Sequence, residues 1–285
     1  MTVRIVTDSS CDLPQDVVAQ YGISVVPLYI NIGQKSYLDG IELSRQSFYE
    51  QLPEYKTPPT TSAPGPAAFV NVYEQLADEG ATSVISVHIS SSLSNTCNAA
   101  QLAAEATDAV PVTVIDSGQL TLGAGLLALA AAKAAEAGRS LAEIVDLLRD
   151  MAHRTYTFAA LDTLEFLRRS GRLSHFQFGL GTLLSIKPLL KMYAGMVEME
   201  RVRTSRRSLE RLIALASELG PLEHLSFVHT HAMEKVELLR QRVLHLLPGG
   251  AELFCTEVTP VIGSHIGPNA VGLICVAARE QLADT

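Results

Sequence analysis

The sequence predicts an α/β protein of two domains, an N-terminal domain built on a parallel sheet and a C-terminal domain of mixed α+β character. Three observations carry this. Through the first half, apolar β-type runs alternate with amphipathic helical runs, and a repeated β-then-α order implies parallel strands joined by crossover helices. Beyond about residue 155 the alternation gives way to a hairpin pattern and then to helices and strands in mixed order. The chain has 285 residues, 47% hydrophobic and 18% charged, close to the size at which one core divides into two. The boundary is placed near residues 155 to 160, giving domains of residues 1–157 and 158–285.

The elements follow in order. The strand-like Val3 to Thr7 leads into Asp8-Ser-Ser-Cys-Asp12, where Asp and Ser side chains suit a turn by bonding nearby backbone. A short helix from Pro14 to Tyr21 and a strand from Ser24 to Ile32 come next. After a loop through Asp39-Gly40, a helix from Ser44 to Leu52 starts on a Ser suited to the N-cap. The Pro-rich Thr57 to Pro66 reads as a linker. Helix Ala67 to Glu79, strand Ser83 to His88, helix Asn95 to Ala106, strand Val112 to Asp116 and an Ala-rich helix from Gly123 to Ala137 complete the first domain.

In the second half, a helix from Thr163 to Arg169 runs through Ser170-Gly171 towards a hairpin. That hairpin spans Ile186 to Arg203 and turns at Ala194-Gly195. Helix Ser205 to Leu219, strand Leu225 to His229, helix Met233 to Leu247 and strand Glu252 to Val258 follow. Gly263 to Asn269 reads as a glycine-flanked loop before a last strand, Val271 to Ala277. No internal repeat or low-complexity segment interrupts the pattern.

Composition excludes several classes of partner. A net charge of −8 and a pI of about 5.5 leave no basic face overall for nucleic acid. The four cysteines, Cys11, Cys97, Cys255 and Cys275, form no Cys-x-x-Cys pair and fit reduced thiols. The amino terminus shows no signal-peptide pattern. The longest apolar run, Leu120 to Ala132, contains glycines and falls short of the roughly 20 residues a membrane span needs. A cytoplasmic protein without membrane insertion is expected.

Two hydroxyl-rich segments mark the site. Ser90-Ser-Ser-Leu-Ser-Asn-Thr96 lies between a strand and a helix, where an open parallel sheet places its ligand crevice and a helix start offers unpaired N–H groups. Thr60-Thr-Ser-Ala-Pro-Gly65 precedes another helix, so both segments are able to converge on one anion. His265, in Gly263-Ser-His-Ile-Gly-Pro-Asn269, is placed to donate to a carboxylate or to fix a hydroxyl that does. Each residue has an ordinary structural alternative, helix capping for the serines and a backbone hydrogen bond for the histidine.

Other chemistries fit less well. No Walker A lysine motif is present, and Gly179-x-Gly181 lacks the third glycine and the preceding strand of a dinucleotide fingerprint. Ser94, His265 and Asp116 would make a hydrolase triad, but no Gly-x-Ser-x-Gly elbow accompanies them. His229-x-His231 has no thiol or carboxylate cluster beside it in sequence, so no metal site is expected. Asp8 to Asp12 lacks the aspartate pair of a phosphoaspartate enzyme and reads as a turn.

Taken together these segments resemble the DegV family of bacterial fatty-acid-binding proteins over nearly the whole chain. The resemblance rests on Thr7-Asp-Ser-Ser10 with Asp12-Leu13, Asp39-Gly40, Thr60-Thr-Ser62 with Pro64, Ser91-Ser-Leu-Ser-Asn-Thr96 and Val114-Ile-Asp-Ser117. It continues through Leu161-Asp-Thr-Leu-Glu-Phe-Leu-Arg-Arg-Ser-Gly-Arg172, Ile186-Lys-Pro188, Val202-Arg-Thr204 and His265-Ile-Gly-Pro268. Each is short; their order along the chain makes the set specific.

The resemblance implies a non-enzymatic carrier that buries one long-chain fatty acid, such as palmitate, between its two domains and needs no cofactor. A separate fatty-acid kinase would phosphorylate the carboxyl group, giving an acyl phosphate for phospholipid synthesis. It implies that Thr61 and Ser94 hold the carboxylate with His265, that Ser62 and Ser92 stand close by, and that Arg169, Arg172 and Arg203 face the kinase. Asn95, Ala63, Gly65, Ser170 and Asn269 stand where the family usually has other residues. The alternative is a serine-dependent acyl hydrolase using Ser94 and His265.

The energetics suit a carrier. Each buried methylene contributes about 0.8 kcal/mol, so roughly 14 supply on the order of 10 kcal/mol before association costs. Neutral hydroxyl donors would then spare the carboxylate the penalty of an unpaired charge without an Arg or Lys ion pair for a kinase to break. Phe158 to Leu167, Phe176 to Leu190 and Ile262 to Ile266 are the apolar stretches available to line a tunnel.

Overall fold

The computed structural model describes residues 2–175, 186–248 and 253–279. Gly179-x-Gly181 and the Phe176 to Ser185 part of the second apolar stretch lie outside the described residues.

The first half contains β1 (Val3–Asp8), α1 (Gln15–Gln20), β2 (Ser24–Val26), β3 (Tyr29–Ile32), β4 (Lys35–Leu38), α2 (Arg45–Gln51) and β5 (Thr60–Ser62). It continues through α3 (Pro66–Asp78), β6 (Ser83–His88), α4 (Thr96–Ala106), β7 (Val112–Asp116), α5 (Leu122–Glu136) and α6 (Leu141–Ala152). The second half contains β8 (Thr155–Ala160), α7 (Glu165–Arg169), β9 (Lys187–Tyr193), β10 (Met196–Val202) and α8 (Ser205–Glu218). It ends with β11 (Leu222–His229), α9 (Met233–Val243), β12 (Cys255–Glu257), α10 (Pro260–Ile266) and β13 (Val271–Ala277).

The α/β class and the parallel sheet followed by a mixed one are as expected. A parallel sheet has the order β2-β1-β6-β7, and a mixed sheet has the order β10-β9-β8-β13-β11-β12. In the second sheet every described pairing is antiparallel except that of β11 with β12. The change of sheet occurs at β8, the strand in which the 157/158 boundary falls.

The layers follow from the burial of each strand. Every residue of β6 is buried, as a central parallel strand covered on both faces requires. One face packs on α3 and α4 through Phe69, Tyr73, Ala99 and Ala103. The other shares a core with α5, which is buried nearly all round because it also packs on the back of the mixed sheet through Ile274 and Val276. The outer face of the mixed sheet is closed by α8 and α9 through Leu212, Leu215, Val236 and Leu239.

Several elements depart from the sequence reading. The strand expected from Ser24 to Ile32 is broken at Pro27, which has no N–H for a ladder; its second part joins a separate sheet of order β4-β3-β5. The expected linker thus contains a strand, β5, pairing Thr61 with Ile30. The helix α6, which the sequence reading lacks, carries a local signal of its own: a capping box of Ser140 and Glu143, then Ile144, Val145, Leu148 and Met151 on the buried side. Strands β4 and β8 were likewise not anticipated.

The expected loop around His265 is instead the helix α10. Pro260 occupies its first turn, and Gly267, at φ 75°, ends it. Gly263 inside it is required by packing, since a Cβ there would overlap the Tyr49 hydroxyl, which donates to the Val258 carbonyl at 2.9 Å.

Candidate functional site

The carboxyl ends of β1 and β6 are tied together by one buried side chain. Asp8 accepts from the Ile89 N–H at 3.1 Å, the Ser10 N–H at 3.0 Å, the Ser10 hydroxyl and the His88 ring at 2.9 Å. Burial pushes the Asp8 pKa up, but the hydrogen bonds from His88, Ser10 and Ile89 outweigh it and hold the carboxyl below its ordinary range. His88 continues to Ser86 at 2.6 Å, and Ser86 accepts from the Tyr73 hydroxyl. This acid, imidazole and hydroxyl row is wholly buried and stands apart from the lining of the cavity described below, and it anchors the loop that follows β6.

That loop turns sharply. The N–H groups of Leu93 and Ser94 both donate to the Ser90 carbonyl, and Ser91 is held by Asp116 at the end of β7. Ser92 is engaged with Ser90, oxygen to oxygen at 2.9 Å, and does not line the cavity described next. Ser94 lies 2.8 Å from the Thr96 hydroxyl and accepts from the Thr96 N–H, capping the start of α4 while its side of the loop faces the cavity.

Beyond these strand ends lies a cavity of about 270 Å³ between the parallel and mixed sheets. Its walls are mainly apolar: Leu28, Ile89 and Leu93 from the first half, Leu167, Met192, Val228, Val258 and Ile262 from the second. Thr61, Ser62, Ser94, Asn95, Arg172 and His265 supply a polar group of lining residues. Strand β5 holds Thr61 and α10 holds His265, and their side chains meet with Oγ1 and Nε2 2.8 Å apart. Ser62, the exposed neighbour, accepts from Asn31 at 3.1 Å.

His265 is neutral in this setting. Burial pushes its pKa down to about 3, and the nearby Arg172 guanidinium adds to the effect. Its Nδ1 is buried without a hydrogen-bond partner. Arg172 is half-buried, donates to the Ser170 carbonyl at 2.9 Å and has its pKa lowered by burial. Among the described residues no carboxylate is paired with it.

The structure thus brings Thr61, Ser62, Ser94 and His265 to one cavity and leaves Ser92 outside it. It also puts Arg172 on the cavity wall, which corrects the expectation of purely neutral donors there. Arg169 and Arg203 are exposed away from the lining, and Arg169 is paired with Glu165 one turn earlier. Asn95, noted in the sequence as a departure from the family pattern, lines the cavity, and so do Thr121, Thr157 and Thr230, which the sequence reading does not single out. Thr121 is within its reach, because it sits immediately before a helix that follows a parallel strand.

The contacts of a triad are not assembled. His265 meets Thr61 and not Ser94, and Asp116 is occupied by Ser91 and the Gly118 N–H. His229 lines the cavity while His231 is exposed and lies 3.5 Å from Glu257. Among the described residues no group of three His, Cys, Asp or Glu side chains is placed to hold a metal ion. No described helix is long and apolar enough to cross a membrane.

Comparison with known proteins bears on the family and the fold. A family model described as "Uncharacterised protein, DegV family" matches residues 2–278. A DegV domain-containing protein of Streptomyces coelicolor is 37% identical over 275 residues, covering 95% of this chain and 97% of that one. A Thermus thermophilus DegV family structure, described by its fatty acid binding, superposes with a TM-score of 0.87 at 34% identity, covering 98% of this chain and 100% of that one. DegV of Bacillus subtilis, described as a fatty acid binding protein, gives 0.86 at 31% identity, covering 97% and 99%.

Proposed function

Because the chain belongs to the DegV family, we propose that it binds one long-chain fatty acid in this cavity, carboxylate at Thr61, Ser94 and His265 and acyl chain among the apolar walls. The observation that carries the reading is the Thr61–His265 pair at the edge of a mainly apolar space, with Ser94 also in its lining. Fatty acid binding by the relatives from Thermus thermophilus and Bacillus subtilis supports it.

The two kinds of wall do different work. Chain burial supplies affinity, at about 0.8 kcal/mol for each methylene. The polar end prevents the loss that an unpaired carboxylate would incur. With Nε2–H of the neutral His265 donating to Thr61 Oγ1, the Thr61 hydroxyl is free to donate to the carboxylate together with Ser94, and Arg172, with which no described carboxylate is paired, gives it a counter-charge. Ser62 completes the polar rim, and Ser92 acts by holding Ser90 rather than by touching the ligand.

In this reading the protein is a cytoplasmic bacterial carrier with domains of residues 1–157 and 158–285. A separate fatty-acid kinase phosphorylates the presented carboxylate for phospholipid synthesis, with the exposed Arg169 and Arg203 as its contacts. Palmitate is the proposed ligand. The test is native mass spectrometry of the full chain purified from cells, followed by denaturing extraction. One fatty acid per chain is expected; a ligand-free protein that hydrolyses esters and loses that activity in Ser94→Ala overturns the reading in favour of a hydrolase.

A further inference from the structure

Among the described residues, two lining side chains keep a buried polar atom without a partner: His265, through Nδ1, and Thr121, through its hydroxyl. The carboxylate reading, on which this inference rests, puts the imidazole proton on Nε2 and makes Nδ1 a lone-pair acceptor. It leaves the second unexplained. The other hydroxyls of the lining are all engaged: Thr61 with His265, Ser62 with Asn31, Ser94 with Thr96, Thr157 with Gln119, and Thr230 with the Ala270 N–H.

Thr121 is not a relaxed residue. It is only 3% exposed and caps α5 with φ 49° and ψ −142°, a conformation that a β-branched side chain rarely adopts. The strain is held in place by its surroundings. The Thr121 carbonyl accepts from Ala124 and Gly125, and the preceding Gln119 is fixed by bonds to the Thr155 carbonyl and the Thr157 hydroxyl. Its side chain makes no cap bond to the helix it begins. A strained backbone thus keeps an unsatisfied hydroxyl on a residue of the wall of a mainly apolar cavity.

We propose that Thr121 is a specificity residue for an oxygen-bearing acyl chain, a fatty acid with a hydroxyl or keto oxygen apart from its carboxylate. A hydroxyl both donates and accepts, so it pairs with either kind of oxygen, and an unsubstituted methylene leaves it unpaired. The preference arises from that difference: the oxygenated chain satisfies Thr121, the plain chain buries it unsatisfied.

The test loads the delipidated full chain with an equimolar mixture of stearic acid and hydroxystearic acids differing in hydroxyl position, and quantifies the retained lipids by mass spectrometry. At least one hydroxy isomer should be retained over stearic acid by about tenfold, the effect of one satisfied hydrogen bond. The near-isosteric Thr121→Val should bring that ratio to about one, while Thr121→Ser should keep it. A ratio of one or less for every isomer in the wild type, as when a water fills the hydroxyl's valence, overturns the proposal even if Thr121→Val does not fold. So does a ratio that survives Thr121→Val. Retention of stearic acid without preference leaves the fatty-acid reading standing, whereas retention of no lipid at all overturns both.

Discussion

Thr61 Oγ1 and His265 Nε2 lie 2.8 Å apart, joining a three-residue strand of the small sheet to a helix near the far end of the chain. The pair depends on the packing of α10. Tyr49 reaches from α2 to the Val258 carbonyl, Asp12 accepts the Thr259 N–H at 2.8 Å, and Arg45 donates to the Glu257 carbonyl. Residues of the first half thus grip the segment that leads into α10, and the imidazole is set by contacts distant in sequence.

The carboxylate clamp predicts a loss of lipid on removal of its hydroxyls. Hydrogen bonds to a charged group are worth about 1.5–3 kcal/mol each, so Thr61→Ala with Ser94→Ala should weaken retention by at least two orders of magnitude. Competitive lipid exchange, read by mass spectrometry, checks it. Unchanged occupancy would remove both residues from the site.

Arg172 and Arg203 should behave differently. Arg172 lines the cavity, so Arg172→Ala should lower fatty acid occupancy. Arg203 is exposed outside that lining, so Arg203→Ala should leave occupancy intact and reduce phosphorylation of the bound acid by a kinase. Lipid content and acyl phosphate yield, measured on the same preparations, separate the two roles.

His265 predicts a pH dependence of stability. Its folded pKa, about 3, lies below the ordinary value of 6.5, so between these values the unfolded chain binds more protons. Its contribution is complete above 6.5 and is lost as pH falls towards 3. Relative to His265→Gln, the wild type should lose about 2 kcal/mol between roughly pH 7 and pH 5, at 1.36 kcal/mol per unit. Urea unfolding of both proteins at each pH isolates this group from others that titrate.

The α10 packing predicts that Gly263→Ala destabilises the protein by about 1–3 kcal/mol, the usual cost of overfilling a core. The added methyl group would meet the Tyr49 ring and hydroxyl. Because that displaces the helix carrying His265, lipid retention should fall with the melting temperature. A Gly263→Ala protein of unaltered melting temperature and occupancy would show that α10 has slack against α2.

Much of this was readable locally. The strands Val3 to Thr7 and Ser83 to His88, the hydroxyl loop after the latter and the capped start of α2 each follow from spacing and capping within a few residues. Helix α6 was equally readable through Ser140, Glu143 and the apolar positions after them. Pro27 signalled the break between β2 and β3. The sequence motifs also pointed to Thr61, Ser94 and His265 before any geometry was known.

Other features had no local signal. Two glycines made α10 look like a loop, because the reason for Gly263 is the ring of Tyr49, which sits more than two hundred positions earlier. By itself the sequence determined the α/β order and the hydroxyl-rich loop that follows β6, since secondary-structure period and hydroxyl content are properties of neighbours. Only the tertiary structure decided that Arg172 lines the cavity, that Ser92 does not, and that Thr121 is strained and unpaired there. Burial and partner choice are set by residues remote in sequence, and a side chain's role at a site depends on both.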